Sequence, residues 1–231
     1  VYNFFPLVFW ENFLYVRMRT EMFIQCEKKL NEFNIDQMTT DNFRKHTTNN
    51  PLQKFLINRF FTLLIKELKY INPDTILDVG CGEGFTLEKI RKNNIGKDLE
   101  GIDFGQQAVD LGKKTYPHLK LKQGDIYQLP YENNSFDLVL CSEVLEHLEY
   151  PEKAMKEIYR VTKKYCVITV PNEPFFRLAN LLRGKNISRW GNDIEHIQHW
   201  SVRGIMSFVR GYFKVKAVRT SFPWTIVVSG K

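Results

Sequence analysis

Three glycines at alternate positions constrain this chain more than any other feature in it. Gly80, Gly82 and Gly84 follow the apolar run Ile76-Leu77-Asp78-Val79 and precede Phe85-Thr86-Leu87. The run suits a strand buried on both faces of a parallel sheet, and glycines reach backbone conformations that a Cβ penalises. From Phe85 the apolar residues recur at helical spacing, with Phe85, Leu87 and Ile90 on one side, so the free amides of the turn lie at a helix N-terminus. A ligand can approach such a turn closely. The spacing argues against a dinucleotide, because a G-x-G-x-x-G fingerprint needs its third glycine one residue later, where Phe85 stands. Asp78 and Glu83 flank the glycines, which is unfavourable beside a diphosphate and favourable beside a cation.

The stretch Leu77-Asp78-Val79-Gly80-Cys81-Gly82-Glu83-Gly84 resembles the first motif of the class I S-adenosylmethionine-dependent methyltransferases. The resemblance covers roughly Pro51 to Ser229, on motifs around Gly80, Asp103, Asp125 and Glu143 that occur in the family's order. It implies an α/β, Rossmann-like fold: a seven-stranded, mostly parallel sheet with helices on both faces and the last strand inserted antiparallel beside the fifth. The implied cofactor is S-adenosylmethionine, a sulfonium without phosphate. Beyond the glycine turn and its helix, Leu99 to Asp103 reads as a second short strand ending in an acid. A carboxylate there can accept two hydrogen bonds from a ribose diol; the plainer alternative is a cap for a helix from Gln106 to Lys114. A third strand, Leu119 to Gln123, runs into Gly124-Asp125-Ile126, where the resemblance implies that Asp125 accepts the adenine amine and Ile126 packs on the ring. The cofactor set it implies is Asp78, Gly80, Cys81, Gly82, Gly84, Asp103, Phe104, Asp125, Ile126, Cys141 and Glu143.

Acceptor chemistry is expected where the fourth strand, Leu138 to Cys141, ends in Ser142-Glu143-Val144-Leu145-Glu146-His147-Leu148. Methyl transfer to a hydroxyl or amine can use a nearby base, and Glu143, His147, His196 and His199 are the candidates, against the ordinary reading of each as a structural hydrogen-bonding group. Residues 172–200 break the strand–helix alternation and read as an insertion covering the site. Glu143, Glu146 and His147, with His196 or His199, are similar to the E-x-x-E/H arrangement of small-RNA terminal 2′-O-methyltransferases and some quinone O-methyltransferases. That gives an alternative, metal-assisted RNA or quinone O-methylation, although no residue is assigned to a metal; the plainer reading is a Glu146 that faces solvent on a short helix, since the same E-V-L-E-H wording also occurs in members of the resembled family where no metal is implied. The leading expectation is transfer to a small-molecule, lipid or glycan acceptor. A non-catalytic cofactor-binding or partner-binding protein of the same fold is a further alternative.

At 231 residues and 43% apolar content the chain can bury a sizeable core, and two parts are expected. Residues 1–41 read as an N-terminal extension, partly helical and dispensable for folding. The sequence opens on Val1, and Met18, Met22 and Met38 are each candidate starts. Residues 42–231 form the methyltransferase domain. It opens with a helix capped by Asn50, started by Pro51 and carrying Leu52, Phe55, Leu56, Phe60, Leu63, Leu64 and Leu68; the resemblance implies that the segment Arg44 to Asn50 is part of a lid over the cofactor site. Phe4 to Val16 is interrupted by Pro6, Glu11 and Asn12 and falls short of the roughly 20 apolar residues of a membrane span, though it suits a peripheral contact. Four dispersed cysteines without a C-x-x-C pair fit reduced thiols in a cytoplasmic protein. The net charge is +7. From Ser201 to Lys231 the chain carries Arg203, Arg210, Lys214, Lys216, Arg219 and Lys231 and no acid, which favours an anionic partner such as nucleic acid or a membrane surface.

Overall fold

The computed structural model describes Asn42 and residues 47–182, 189–191 and 196–231. The expected extension 1–41, with Phe4–Val16 and Cys26, lies outside the described residues; so do residue 43, residues 44–46 of the expected lid, and 183–188 and 192–195 of the expected insertion.

Asn50 and Pro51 open α1 (Pro51–Ile71) as the sequence suggests: the Asn50 side chain accepts from Gln53 N, and Asn72 closes the helix in a left-handed conformation. Its buried stripe is Ile57, Phe60, Phe61, Leu64, Ile65 and Leu68. Leu52 and Phe55, expected on that stripe, are exposed. At about 31 Å the helix outruns the roughly 17 Å of a five-residue strand, so its first turn lies beyond the core.

The order then alternates: β1 (Thr75–Val79), α2 (Phe85–Lys92), β2 (Asp98–Asp103), α3 (Gln106–Thr115), β3 (Lys120–Gln123), β4 (Phe136–Ser142), a 3₁₀ turn at Leu145–His147, α4 (Pro151–Val161) and β5 (Thr162–Pro171). After them come α5 (Phe175–Leu182), α6 (Val202–Arg210), β6 (Lys214–Ser221) and β7 (Trp224–Gly230). The seven strands form one sheet in the order β3-β2-β1-β4-β5-β7-β6. The first five in sequence pair in parallel, whereas β7 runs antiparallel between β5 and β6. β5 is long, at 10 residues, because its first residues continue directly from α4 and its last pair with the start of β7.

Helices cover both faces. On one, Ala154, Met155, Ile158 and Val161 of α4 and Ile205 and Val209 of α6 pack on Val139, Cys141, Cys166, Ile168 and Val227. On the other, α1 packs on Ile76, Leu138, Leu140, Val167, Ile226 and Val228, with Phe60 against Trp224 at 5.3 Å between rings. Cys81, Cys141 and Cys166 are free and buried. The sheet's edges carry Lys120 and Lys122 on β3 and Lys214, Lys216 and Arg219 on β6, charges that discourage pairing with another chain. None of the described helices is long and apolar enough to cross a membrane.

Candidate active site

Strand order reverses at β1, whose neighbours are β2 and β4, and ligands of open α/β sheets bind outside the carboxyl ends of the strands at such a point. The register pairs Val79 with Ile102 on one side and Cys141 on the other, so Gly80 stands beside Asp103 and Ser142. Gly80 and Gly82 both have positive φ, at 77° and 53°. A Cβ on Gly80 would run into the Val144 side chain, so the turn and the segment after β4 touch through a backbone that tolerates no side chain.

Asp103 joins the turn to the end of β2: one carboxylate oxygen accepts from Gly82 N at 2.7 Å and the other from Gly105 N at 2.8 Å. It thus ties the end of β2 to the glycine turn and to Gly105, the residue before α3; it does not cap that helix, whose N-cap is Gly105 without a side-chain hydrogen bond. Asp78 near the end of β1 is buried, and its Oδ1 has no hydrogen-bond partner among the described residues. Burial, and after it the neighbouring Asp103 carboxylate, raise its pKa to about 7. Glu83, expected to face a cation with Asp78, is instead turned inward, buried and engaged by the Asn42 side-chain amide at 2.6 Å. Asn42 also lies 3.0 Å from where a Gly82 Cβ would stand, which brings the start of the domain over the turn.

Asp125 is exposed and its Oδ1 accepts from Tyr127 N at 2.8 Å, an Asx-type turn that presents the half-buried Ile126 against the core. Phe104 is exposed next to Asp103. Two of the assigned side chains do not reach the site. The Cys141 thiol is fully buried within the core on the α4 side of the sheet, and the Cys81 side chain packs into the cluster of Leu87, Val109, Leu119 and Leu121; only their backbones border the turn. Strand alternation sends each side chain into a helix-covered face.

Glu143 directly follows β4 with φ 59°, a left-handed conformation unusual outside Gly and Asn and costly by about 1–3 kcal/mol. Its N–H donates to Thr169 O at 3.0 Å, and its Oε1 accepts from Thr169 Oγ1 at 3.1 Å. Ser142 Oγ shares a 2.8 Å hydrogen bond with the same hydroxyl. Two strand ends therefore hold one strained carboxylate. The 3₁₀ turn that follows corrects the sequence reading of Glu146: it is 1% exposed and does not face solvent. Its backbone carbonyl accepts from Ile197 N and Gln198 N at 2.8 and 2.9 Å, which docks the 196–200 segment there. The His147 and His196 rings consequently stand 5.0 Å apart, with His196 packed on Phe176 of α5. Ligand atoms of Glu146, His147 and His196 all lie within 4.8 Å of one another. His199 is exposed and outside this group. Spacing missed Glu173, whose carboxylate oxygens are buried just after β5 and whose pKa burial raises; only its position at that strand end marks it in the sequence.

Residues 77–169 match the family model described as a methyltransferase domain, a span running from β1 to β5. The chain is 33% identical over 126 residues to demethylmenaquinone methyltransferase of Lactobacillus johnsonii, covering 49% of this chain and 52% of that protein. It is 34% identical over 104 residues to norajmaline N-methyltransferase of Rauvolfia serpentina, covering 42% and 35%. The chain spans about half the length or less of the curated relatives it matches. Among solved structures, magnesium protoporphyrin IX methyltransferase from Synechocystis PCC 6803 superposes with a TM-score of 0.63 at 15% identity, covering 85% of this chain and 97% of that one, and shares the fold. The matched span, residues 77–169, holds the glycine turn and the carboxyl ends of β1, β2 and β4, and over that length the chain is similar to a methyltransferase domain.

Proposed function

We propose that this chain binds S-adenosylmethionine across the carboxyl ends of β1, β2 and β4 and transfers its methyl group to a small-molecule or lipid acceptor held at the ends of β4 and β5. The carrying observation is the buried Asp78 Oδ1, which no described residue engages, beside the Asp103 carboxylate and the glycine turn. Two acids around a close-approach backbone suit an ammonium-bearing, phosphate-free ligand and disfavour a dinucleotide. Asp78 would take the amine, and the side-chain-free backbone at Gly80 and Gly82, whose N–H groups are already spent on Ile102 O and Asp103, would let the ligand approach closely. Asp103 would meet the ribose with whatever acceptor capacity its two backbone hydrogen bonds leave, and Asp125, Ile126 and Phe104 would border the adenine. When bound, the sulfonium supplies an activated methyl group.

The protein's own task is then alignment and exclusion of water, which can contribute on the order of 7–11 kcal/mol in favourable cases. Glu143, fixed by Thr169, is placed to orient the acceptor. Calorimetry with S-adenosylmethionine and with NAD tests the cofactor half: micromolar binding of the first and none of the second is expected, and the reverse would sink the reading. Transfer assays on quinone, lipid, glycan, small-molecule and RNA pools then identify the acceptor. The stretch shared with demethylmenaquinone methyltransferase supports putting quinones first.

One observation favours a second, metal-assisted version of the same reaction. A buried carboxylate and two imidazoles within 4.8 Å form a donor set suited to a borderline divalent ion. Glu146, His147 and His196 would hold the ion, which would polarise an acceptor hydroxyl. Loss of transfer after chelator treatment, with cofactor affinity unchanged and restoration by one divalent metal, is the expected signature; full transfer by metal-free protein removes it.

A further inference from the structure

A group of exposed apolar side chains lies at the carboxyl edge of the sheet. Pro171 at the end of β5 pairs with Trp224 at the start of β7, so the β6–β7 turn lies at the edge where β5 ends. Phe222 in that turn has its ring 6.2 Å from Phe175 at the start of α5. The turn at residues 189–191 closes on α5: Arg177 Nε donates to Trp190 O and Asn180 Nδ2 to Gly191 O. Phe175, Leu178, Trp190 and Phe222 thus rim one lip, with exposures of 48%, 48%, 76% and 40%. Bulky apolar groups this open, grouped and beside a ligand edge mark an interaction surface. Arg177 lies on α5 between Phe175 and Leu178, exposed Arg189 precedes Trp190 in the chain, and the sequence contains no acid from Phe175 to Gly191 or from Ser201 to Lys231, with Glu173 before the first stretch and Asp193 and Glu195 after it.

We propose that this lip docks the domain on an anionic lipid bilayer. Charge complementarity selects the occupant: a protein partner would meet the aromatic residues equally well, but aromatic and leucine side chains interleaved with arginines are the chemistry that enters the headgroup boundary of an acidic leaflet. α5 presents Phe175 and Leu178 outward at i and i+3 while Ala179 and Asn180 face inward, the pattern of a helix lying along an interface. The proposal stands whether or not methyl transfer is found; if it is, the acceptor side of the site opens toward the membrane.

The experiment is co-sedimentation of the full chain with vesicles of equimolar phosphatidylglycerol and phosphatidylcholine and with pure phosphatidylcholine, beside Phe175→Ser/Leu178→Ser and Arg189→Glu variants checked by circular dichroism and thermal melting. Binding to the anionic vesicles at least 10-fold tighter than to neutral ones is expected. The double variant should lose 10-fold or more and Arg189→Glu about 5-fold, with melting temperatures unchanged. Quenching of tryptophan emission by brominated lipid should fall in Trp190→Phe, which locates the lip in the boundary. Absence of binding to anionic vesicles overturns the proposal. So does binding that neither variant weakens, which would assign the contact to residues 1–41, and so does vesicle binding displaced by RNA with Trp190 never quenched, which would assign the basic surface to nucleic acid.

Discussion

The two halves of the candidate site are built in opposite ways. The proposed cofactor side is backbone and two short acids: Gly80, Gly82, Asp78 and Asp103 belong to two adjacent strand ends, and hydrogen bonds from Gly82 and Gly105 lock them together. On the proposed acceptor side, Glu143, Glu146, His147, His196 and Phe176 come from three segments. They are joined by a strained residue, a 3₁₀ turn and two hydrogen bonds onto the Glu146 carbonyl. A local, backbone-built site resists change and recognises one ligand; a side-chain-built site assembled over distance can be rewritten residue by residue.

The comparison breaks most readily at Gly80, where the halves touch. Gly80→Ala puts a Cβ into Val144 and forces a positive φ on an alanine, so cofactor affinity should fall by 100-fold or more, with destabilisation of about 2–4 kcal/mol. Calorimetry and chemical denaturation would read both, and wild-type affinity in this variant would mean that the turn does not form the site. Asp103→Ala removes the acceptor for two backbone N–H groups and should cost about 1–3 kcal/mol in cofactor binding, roughly 10- to 100-fold.

His196→Ala tests the other half. Cofactor affinity should stay within about 2-fold while transfer to the true acceptor drops at least 10-fold; equal losses in both would merge the two halves into one. Asp78 sharpens the electrostatics. Its folded pKa of about 7 lies above its ordinary 3.8, so its contribution to the ligand-free domain's stability is full below about pH 4 and is lost as pH rises through 7. A ligand ammonium favours the ionised form, so binding should release a proton and tighten between pH 6 and 8. Calorimetry in buffers of differing ionisation enthalpy would show this, and Asp78→Asn should abolish it. The smallest effect belongs to neither half: Asn50→Ala removes the α1 cap, should lower stability by about 1 kcal/mol and should leave cofactor affinity untouched.

The place in the fold of the proposed cofactor half was largely legible in the sequence. Gly80, Gly82 and Asp103 sit where strand ends and turn spacing put them, because a parallel strand followed by a tight turn leaves few ways to place its next residues. What misled was side-chain direction. Cys81 and Cys141 border the turn by backbone while their thiols point into the core, and Glu83 turns inward to Asn42 rather than toward a ligand. The acceptor half was legible only as a list of candidates. Glu143, His147, His196 and His199 carry the same chemistry in sequence, yet the docking of residues 197 and 198 on Glu146 selects His196 and leaves His199 exposed.

By itself the sequence determined the alternation of the early strands and helices, the start of α1 and the glycine turn, since caps, apolar periods and positive-φ glycines act over a few residues. Only the tertiary structure decided that Glu146 is buried, that it stands with His147 and His196, and that Phe175, Leu178, Trp190 and Phe222 share one lip. Those facts depend on β7 entering the sheet antiparallel beside β5 and on long-range hydrogen bonds between segments dozens of residues apart, and no local pattern encodes such distances.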